Sequence, residues 1–455
     1  MKKKLRYALF LMLLLSSLSA SAWEGMAMPR LHVDGKYFKD AQGNIVNLHG
    51  FAQTYSPWFN EKGTKWTNYD ESGCLSYNEG LIDKILAAGW KVNFMRLHMD
   101  PYWSNDPTKT ATGESDISAF SYARFTKYFK RVFLPMAKYA ISKGLYVIMR
   151  PPGVCPDSIK IGDAYQKYLI QVWDYVSSYP DIKNNPNIMF ELANEPVGIY
   201  KSDKSVGSYE DLHDYFQTVV DSIRKNCDNI VLVPGTGYQA DYRAYGQYPI
   251  SGDNVGYAVH CYPGWMNSGS ESTPTVTYTQ FKAGWDEQIK PVSDNAPIVV
   301  TEMDWAPATY NSSWGKGTTG TEGGTGFGAN FKKIADDSGN VSWLIFTEAY
   351  LMAQYDDTAS DGSTFLTDPQ ACPRPAYRWY QTYATTQYPH QEYTYQSTSD
   401  QGDGTYKNPV IQGDFPDPDV IKVGDTYYIV STTMHNFPGC TLLKSKDLVN
   451  WEFCC

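Results

Sequence analysis

Short apolar runs recur along the chain, each followed by a longer stretch with apolar residues at helical spacing. The runs are Ile45–Gly50, Val92–Leu97, Leu145–Met149, Ile188–Glu191, Ile230–Pro234, Val255–His260, Ile298–Glu302 and Ser342–Phe346. They are mostly unbroken and rich in β-branched residues, as strands buried on both faces must be. Between them, Asn78–Gly89, Ser121–Gly144, Ala164–Tyr179 and Ser208–Asn226 carry helical periodicity, with Gly89 and Gly144 where helices stop. Eight strands alternating with helices predict an α/β fold, a (β/α)8 TIM barrel, over residues 31–388. An open doubly wound sheet would want a glycine-rich phosphate turn after its first strand, and His49-Gly50-Phe51-Ala52 is not one.

The pattern changes beyond the last helix. Residues 389–405 are polar, without apolar periodicity, and read as a linker. Residues 406–455 hold short strands punctuated by Pro and Gly, which predict an all-β unit too small to close a sizeable domain alone. At the other end, Lys2, Lys3, Lys4 and Arg6 precede an apolar run from Ala8 to Leu15, and Ala20-Ser21-Ala22 has the small-x-small form. These predict a signal peptide over residues 1–22, cleaved after Ala22, and hence a secreted, periplasmic or cell-surface protein with no membrane association after cleavage. The alternative is an uncleaved anchor.

Composition narrows the partner. The 455 residues carry a net charge of −10, which argues against nucleic acid and suits a neutral substrate. Aromatic residues make up 15% of the chain, including 13 Trp and 36 Tyr. Most must be core, but exposed rings stack well on sugars. The eight Cys are scattered, with neither disulfide-framework nor zinc-site spacing; most read as buried thiols. No metal or cofactor is expected, and a monomer is.

A barrel of this kind places its chemistry at the C-terminal ends of its strands. Those ends supply Arg96 after strand two, Asn194 and Glu195 after strand four, His260 and Tyr262 after strand six, and Glu302 at strand seven. Strands four and seven lie on opposite sides of an eight-stranded ring, so two carboxylates face each other across the mouth. That pair is what glycosidic hydrolysis needs, with one carboxyl protonated and the other ionised. A separation of roughly 5–5.5 Å gives retention through a covalent glycosyl-enzyme. Arg96 is the cation to hold a nucleophile ionised, or else a structural ion-pair partner. Asn194 can hydrogen-bond a sugar 2-hydroxyl, His260 can share a proton with the acid/base or serve as a core histidine, and Tyr262 can hydrogen-bond the nucleophile. Glu191 reads as a structural group inside the barrel, while Asp304 and Glu348 are further carboxylates for the cleft. Trp58, Trp66, Trp103, Trp265 and Trp305 fall in strand-to-helix loops, where each either stacks on sugar or packs; Trp305, with Phe346 after strand eight, is expected to support the substrate.

Residues 31–388 resemble a glycoside hydrolase family 5 catalytic domain of the cellulase-like branch. The residues that carry the resemblance are Phe94-Met-Arg96, Phe190-Glu-Leu-Ala-Asn-Glu-Pro196, His260-Cys-Tyr262 and Val300-Thr-Glu302. It implies that Glu195 is the acid/base, that Glu302 is the nucleophile, and that a β-linked polysaccharide is cleaved with retention. Cellulase-type endo-β-1,4-glucanase is the first expectation. The same machinery on mannan, xylan or an arabino- or galactofuranoside side chain is the second, and a non-catalytic carbohydrate-binding protein is the alternative of another class. Two departures affect the sugar site. The family's usual His after strand three is replaced by Arg150-Pro151-Pro152, and its usual Trp after strand eight by Phe346, with Trp343 placed inside the barrel.

Residues 406–455 resemble the start of a glycoside hydrolase family 43 five-bladed propeller, on Asn408-Pro409, Phe415-Pro-Asp417-Pro418, Tyr427-Tyr428, Phe437-Pro438-Gly439 and Ser445-Lys-Asp-Leu-Val-Asn-Trp451. The match implies Asp417 as general base, with Asp414 and Asp419 as neighbours it could be confused with. The expectation is an incomplete propeller of about one blade, inert for want of its general acid.

Overall fold

The computed structural model describes residues 28–53, 69–269, 276–306, 317–346, 349–355, 368–387, 399–400, 404–411, 415–432 and 440–454. The expected signal segment, Trp58, Trp66, Glu348, Asp414 and Phe437 lie outside them. The chain forms two compact units, residues 1–387 and 388–455.

The first unit is a closed barrel of eight parallel strands: β1 (His49–Gln53), β2 (Phe94–His98), β3 (Tyr146–Arg150), β4 (Ile188–Glu191), β5 (Val231–Pro234), β6 (Val255–His260), β7 (Ile298–Glu302) and β8 (Val341–Ile345). Helices such as Glu71–Ala87, Ala164–Ser178 and Tyr209–Arg224 follow the strands and cover the outside. Their starts are written locally. Asp70, Asp163 and Ser208 each accept a first-turn backbone N–H, Ser208 in a reciprocal capping box with Asp211. In the helical run from Tyr122 to Ser142, the turn Phe129–Phe133 is π-helical just before Pro135. A proline cannot donate a backbone hydrogen bond, and the wider turn absorbs that loss.

Alternation along each strand splits the core in two. Met95, Val147, Phe190, Val259, Val300 and Trp343 pack outward with the helices. Phe94, Ile148, Met189, Leu232, Ala258, Val299 and Leu344, all buried, are the alternate positions that fill the barrel. Gly50 lies between them: a Cβ there would sit 2.2 Å from the Phe94 carbonyl oxygen.

Two expectations need correction. The first barrel strand begins at His49 rather than Ile45. Ile45 bridges Lys39, and Val46 donates to the Phe38 carbonyl, so this stretch extends the N-terminal hairpin (His32–Asp34 with Tyr37–Lys39). An apolar run cannot show which of two sheets it joins. Trp343 is not inside the barrel. Its ring meets Phe331, Trp379, Tyr380 and Tyr383, all on helices, because its register places Ser342 and Leu344 inward.

The second unit holds a four-stranded antiparallel sheet, β9 (Asp419–Val423), β10 (Thr426–Thr432), β11 (Cys440–Ser445) and β12 (Trp451–Phe453), in sequential order. Ser431 Oγ donates to the Pro416 carbonyl, and Phe415 approaches Phe453 at 6.2 Å. Asp417 is exposed, at a left-handed φ of 46°.

His49 is buried at 4% exposure and stacks on Tyr383 at 3.9 Å. Burial pushes its pKa down to about 3. An unfolded histidine titrates near 6.5, so the unfolded chain binds the extra proton between these values. This contribution to stability is therefore complete above about pH 6.5 and lost as pH falls toward 3, by at most about 1.4 kcal/mol per pH unit. His49→Phe should flatten the fall in melting temperature between pH 7 and pH 4, measured by thermal scans across that range.

Candidate active site

All eight strands point the same way, so their C-terminal ends form one mouth. Arg96, in the middle of β2, is 2% exposed. Its Nε donates to Glu191 Oε2 at 2.6 Å and its Nη2 to Glu191 Oε1 at 2.9 Å, a bidentate clamp. Nη1 donates to Glu302 Oε1 at 2.6 Å, and Nη2 also to Asn194 Oδ1 at 2.6 Å. Tyr262 Oη donates to the other Glu302 oxygen, Oε2, at 2.8 Å. Both Glu302 oxygens are thus held by donors.

A local irregularity makes this possible. Successive strand residues face opposite sides, yet Thr301 and Glu302 reach the same cluster: Thr301 Oγ1 donates to Glu191 Oε1 at 2.9 Å. The pairing of β6 with β7 shifts by one residue between Val259 and His260, so His260 sits beside Glu302 rather than Thr301. The bulge turns the end of β7 inward.

His260 is fully buried between the carboxylates. Its Nδ1 lies 3.0 Å from Glu195 Oε1 and 3.5 Å from Glu302 Oε2, while Nε2 lies 3.6 Å from Glu191 Oε1 and 3.4 Å from Arg96 Nη2. With two carboxylates before it, Nδ1 is the nitrogen that carries a proton. Charges set the titration. Burial alone would lower the His260 pKa, but Glu302, Glu191 and Glu195 together raise it. Burial would raise Glu302, but His260 and Arg96 hold it below the usual carboxylate range. Glu191 is lowered too, burial being outweighed by Arg96 and His260.

The structure brings Arg96, Asn194, Glu195, His260, Tyr262 and Glu302 together, with Glu191 as their anchor. Phe346, half-buried just after β8, stands 6.4 Å from Tyr262 at 82°. Trp305 does not join them. It is 0% exposed, donates Nε1 to Thr319 Oγ1 and the Gln370 carbonyl, and packs on Trp379, so no face remains for a sugar. Trp103 is buried among Tyr69, Tyr102 and Tyr128, and Asp304 is buried as well. Trp265 is the described loop tryptophan with an accessible face, 5.3 Å from Tyr262 and 6.2 Å from Tyr238.

Three residues escaped the sequence reading. Arg150, at the end of β3 where a His was expected, donates to His98 Nε2 at 2.8 Å and to the Gly153 carbonyl at 2.6 Å, and its charge helps to lower Glu302. His98 follows the periodicity of Arg96 two residues later, a signal that was available. Gln239, fully buried, accepts the Glu195 backbone N–H at 2.6 Å; nothing in its sequence context announces this. Among the described residues, two clusters bring potential metal ligands within 4.8 Å: His98, Asp100 and Glu114, and Glu195, His260 and Glu302. The first includes Arg150 at hydrogen-bond distance from His98, and in the second Arg96 and Tyr262 occupy the Glu302 oxygens. A guanidinium thus already contacts each cluster.

A closed barrel with two glutamates sharing one histidine at its mouth is the framework of a glycoside hydrolase. The chain belongs to glycosyl hydrolase family 5: the model of its cellulase domain matches residues 40–317, more than half of the chain. The model of glycosyl hydrolases family 43 matches residues 406–455. An endoglucanase of Halalkalibacter akibai is 24% identical over 306 residues, 64% of this chain and 33% of that protein. A beta-xylosidase of Formosa agariphila is 54% identical over 55 residues, 12% of this chain and 9% of the relative. The chain thus spans a third or less of the length of these two relatives. Among solved structures, a beta-glucanase of Saccharophagus degradans aligns with a TM-score of 0.50 at 18% identity, over 81% of this chain and 97% of that one. At this identity the likeness shows the fold.

Glu191 touches no open space, yet it is the bidentate partner of a buried cation. Removing one member of a buried pair typically costs about 3–5 kcal/mol, because the other is left uncompensated. Glu191→Ala should therefore lower the unfolding free energy by about that amount, read from urea denaturation, and should lower turnover as well, since Arg96 then loses its anchor.

Proposed function

We propose that the chain is a secreted, retaining β-glucanase, an endo-β-1,4-glucanase by first choice, with Glu195 as acid/base and Glu302 as nucleophile. One observation carries the mechanism: an oxygen of Glu195 and an oxygen of Glu302 lie within 4.8 Å of each other, with His260 between. Inverting enzymes hold their carboxyls about 6.5–9.5 Å apart to admit a water, and retaining ones about 5–5.5 Å. The shorter spacing favours direct attack by a carboxylate.

In the first step a Glu302 oxygen attacks the anomeric carbon while Glu195 gives its proton to the departing glycosidic oxygen. A covalent glycosyl-enzyme forms, and the shortened polysaccharide leaves as an alcohol. In the second step Glu195 takes a proton from water, the hydroxide attacks the anomeric carbon, and Glu302 departs as the carboxylate. Arg96 and Tyr262 suit the nucleophile's role, since both donate to the carboxylate that must be ionised at the start and released at the end. His260 can pass its Nδ1 proton toward Glu195, and Asn194, held by Arg96, is available to a sugar 2-hydroxyl.

Family 5 membership and the cellotetraose complex of the Saccharophagus degradans beta-glucanase favour β-glucan as substrate. The family 43 match favours a second reading, in which the same pair works on xylan or an arabinose-bearing glycan. Export rests on the N-terminal sequence. Among the described residues no helix is long and apolar enough to cross a membrane.

Glu302→Gly should lose turnover by several orders of magnitude and regain part of it on an activated β-glycoside when azide or formate is added. Proton NMR of the wild-type reaction should show the β-anomer formed first. An initial α-product, or no rescue by any small nucleophile, would remove Glu302 from the nucleophile's role. A product profile on carboxymethylcellulose, mixed-linkage β-glucan, mannan, xylan and arabinan separates the two substrate readings.

A further inference from the structure

Glu195 has φ = +56°, in the left-handed region that a side chain other than glycine seldom occupies. Across from it, after β5, three consecutive residues are also left-handed: Gly237 (φ 60°), Tyr238 (φ 62°) and Gln239 (φ 64°). Two of the three carry bulky side chains, and such strain persists only where neighbours over-determine it.

The two strained segments hold each other. Gly237 N–H donates to the Val197 carbonyl at 2.9 Å, and Tyr238 N–H to the Pro196 carbonyl at 3.0 Å. The Gln239 side chain completes the series: its Oε1 accepts the Glu195 N–H at 2.6 Å. The other end of that amide is fixed as well, with Nε2 donating to Glu191 Oε1 at 2.9 Å and to the Ala258 carbonyl at 3.2 Å. The partners dictate the orientation of the amide, because an N–H faces its oxygen and two acceptors face its nitrogen. Gln239 is fully buried and does not reach the mouth.

We propose that Gln239, presented by this left-handed turn, is the positioning residue of Glu195. It fixes the backbone conformation that aims the carboxyl at His260, and it ties that conformation to Glu191, hence to Arg96 and Glu302. The amide thereby sets the spacing between the two carboxylates. The inference rests on the reading of Glu195 as acid/base and adds to it a residue that touches neither substrate nor proton.

A displaced acid slows only those reactions that need protonation of the leaving group. The full chain should be compared with Gln239→Met, which keeps the shape and removes both polar ends, on the preferred oligosaccharide of the wild-type enzyme and on the 2,4-dinitrophenyl β-glycoside of the same sugar. That phenolate leaves without a proton, and kcat/KM reports the first bond cleavage. Gln239→Met should lose about 100-fold in kcat/KM on the oligosaccharide, as misplacement of a catalytic group does, and less than about 5-fold on the dinitrophenyl glycoside, where general acid help is not needed. Gln239→Asn, too short to span both partners, should show the same selectivity and replaces Gln239→Met if that variant does not fold. Equal losses on both substrates, no loss on either, or failure of both variants to fold would overturn the assignment. Glu195→Ala run alongside should show the same selectivity more strongly. If it does and the Gln239 variants do not, only this inference fails; if Glu195→Ala shows none, the acid/base reading fails and the inference with it.

Discussion

A guanidinium withdrawn from water inside the barrel is the constraint on which the site depends. Taking Arg96 out of solvent costs several kcal/mol even after relaxation, and it remains charged because Glu191 and Glu302 surround it. A planar group with a fixed fork of donors can engage Glu191 twice, Glu302 once and Asn194 once. A lysine at this point could not define the same directions. The clamp therefore does more than neutralise charge. It relates the end of β4 to the end of β7 through one rigid side chain on β2.

The same clamp sorts the protons. Arg96 and His260 lower Glu302, while the three glutamates raise His260. Negative and positive groups alternate, Glu191 then Arg96 then Glu302, with His260 leading on to Glu195. Glu195, the outermost, has a side chain 21% exposed, whereas that of Glu302 is 8% exposed. Two chemically identical side chains thus stand in different surroundings: Glu302 is wrapped by donors, and Glu195 meets a histidine and solvent. Arg150 adds positive potential from β3, which further favours ionisation of Glu302.

How much of this was legible in the sequence depends on how local the cause is. The eight-strand barrel, the strand-end positions of Asn194, Glu195, His260 and Glu302, and the helical stretches beginning near Ala164 and Ser208 all follow from periodicity, which acts over a few residues; Arg96, expected after its strand, lies in the middle of β2. The failures have non-local causes. Ile45 joins a hairpin because of its bridge to Lys39, which its hydrophobicity cannot reveal. A tryptophan near a strand end has equal reason to meet sugar or helix: register turns Trp343 outward, and Trp305, beyond the end of β7, is drawn away by Thr319, Gln370 and Trp379. The bulge that turns Glu302 inward depends on the pairing of β6 with β7 and leaves no mark in Val300-Thr-Glu302.

Gln239 marks the limit of such reading. A left-handed residue other than glycine costs about 1–2 kcal/mol, and Glu195, Tyr238 and Gln239 all adopt that conformation. Local propensity therefore argues against the very backbone that the site needs. The compensation comes from the hydrogen bonds that link residues 237–239 to residues 195–197 and from the buried amide that ends on Glu191. Because those bonds form only once β4 and β5 are in register, the cost and its compensation sit on different parts of the chain. A barrel can place a carboxyl at a strand end by periodicity alone; aiming it within hydrogen-bond distance of a partner across the mouth takes a second loop, strained in the same sense, pressed against the first.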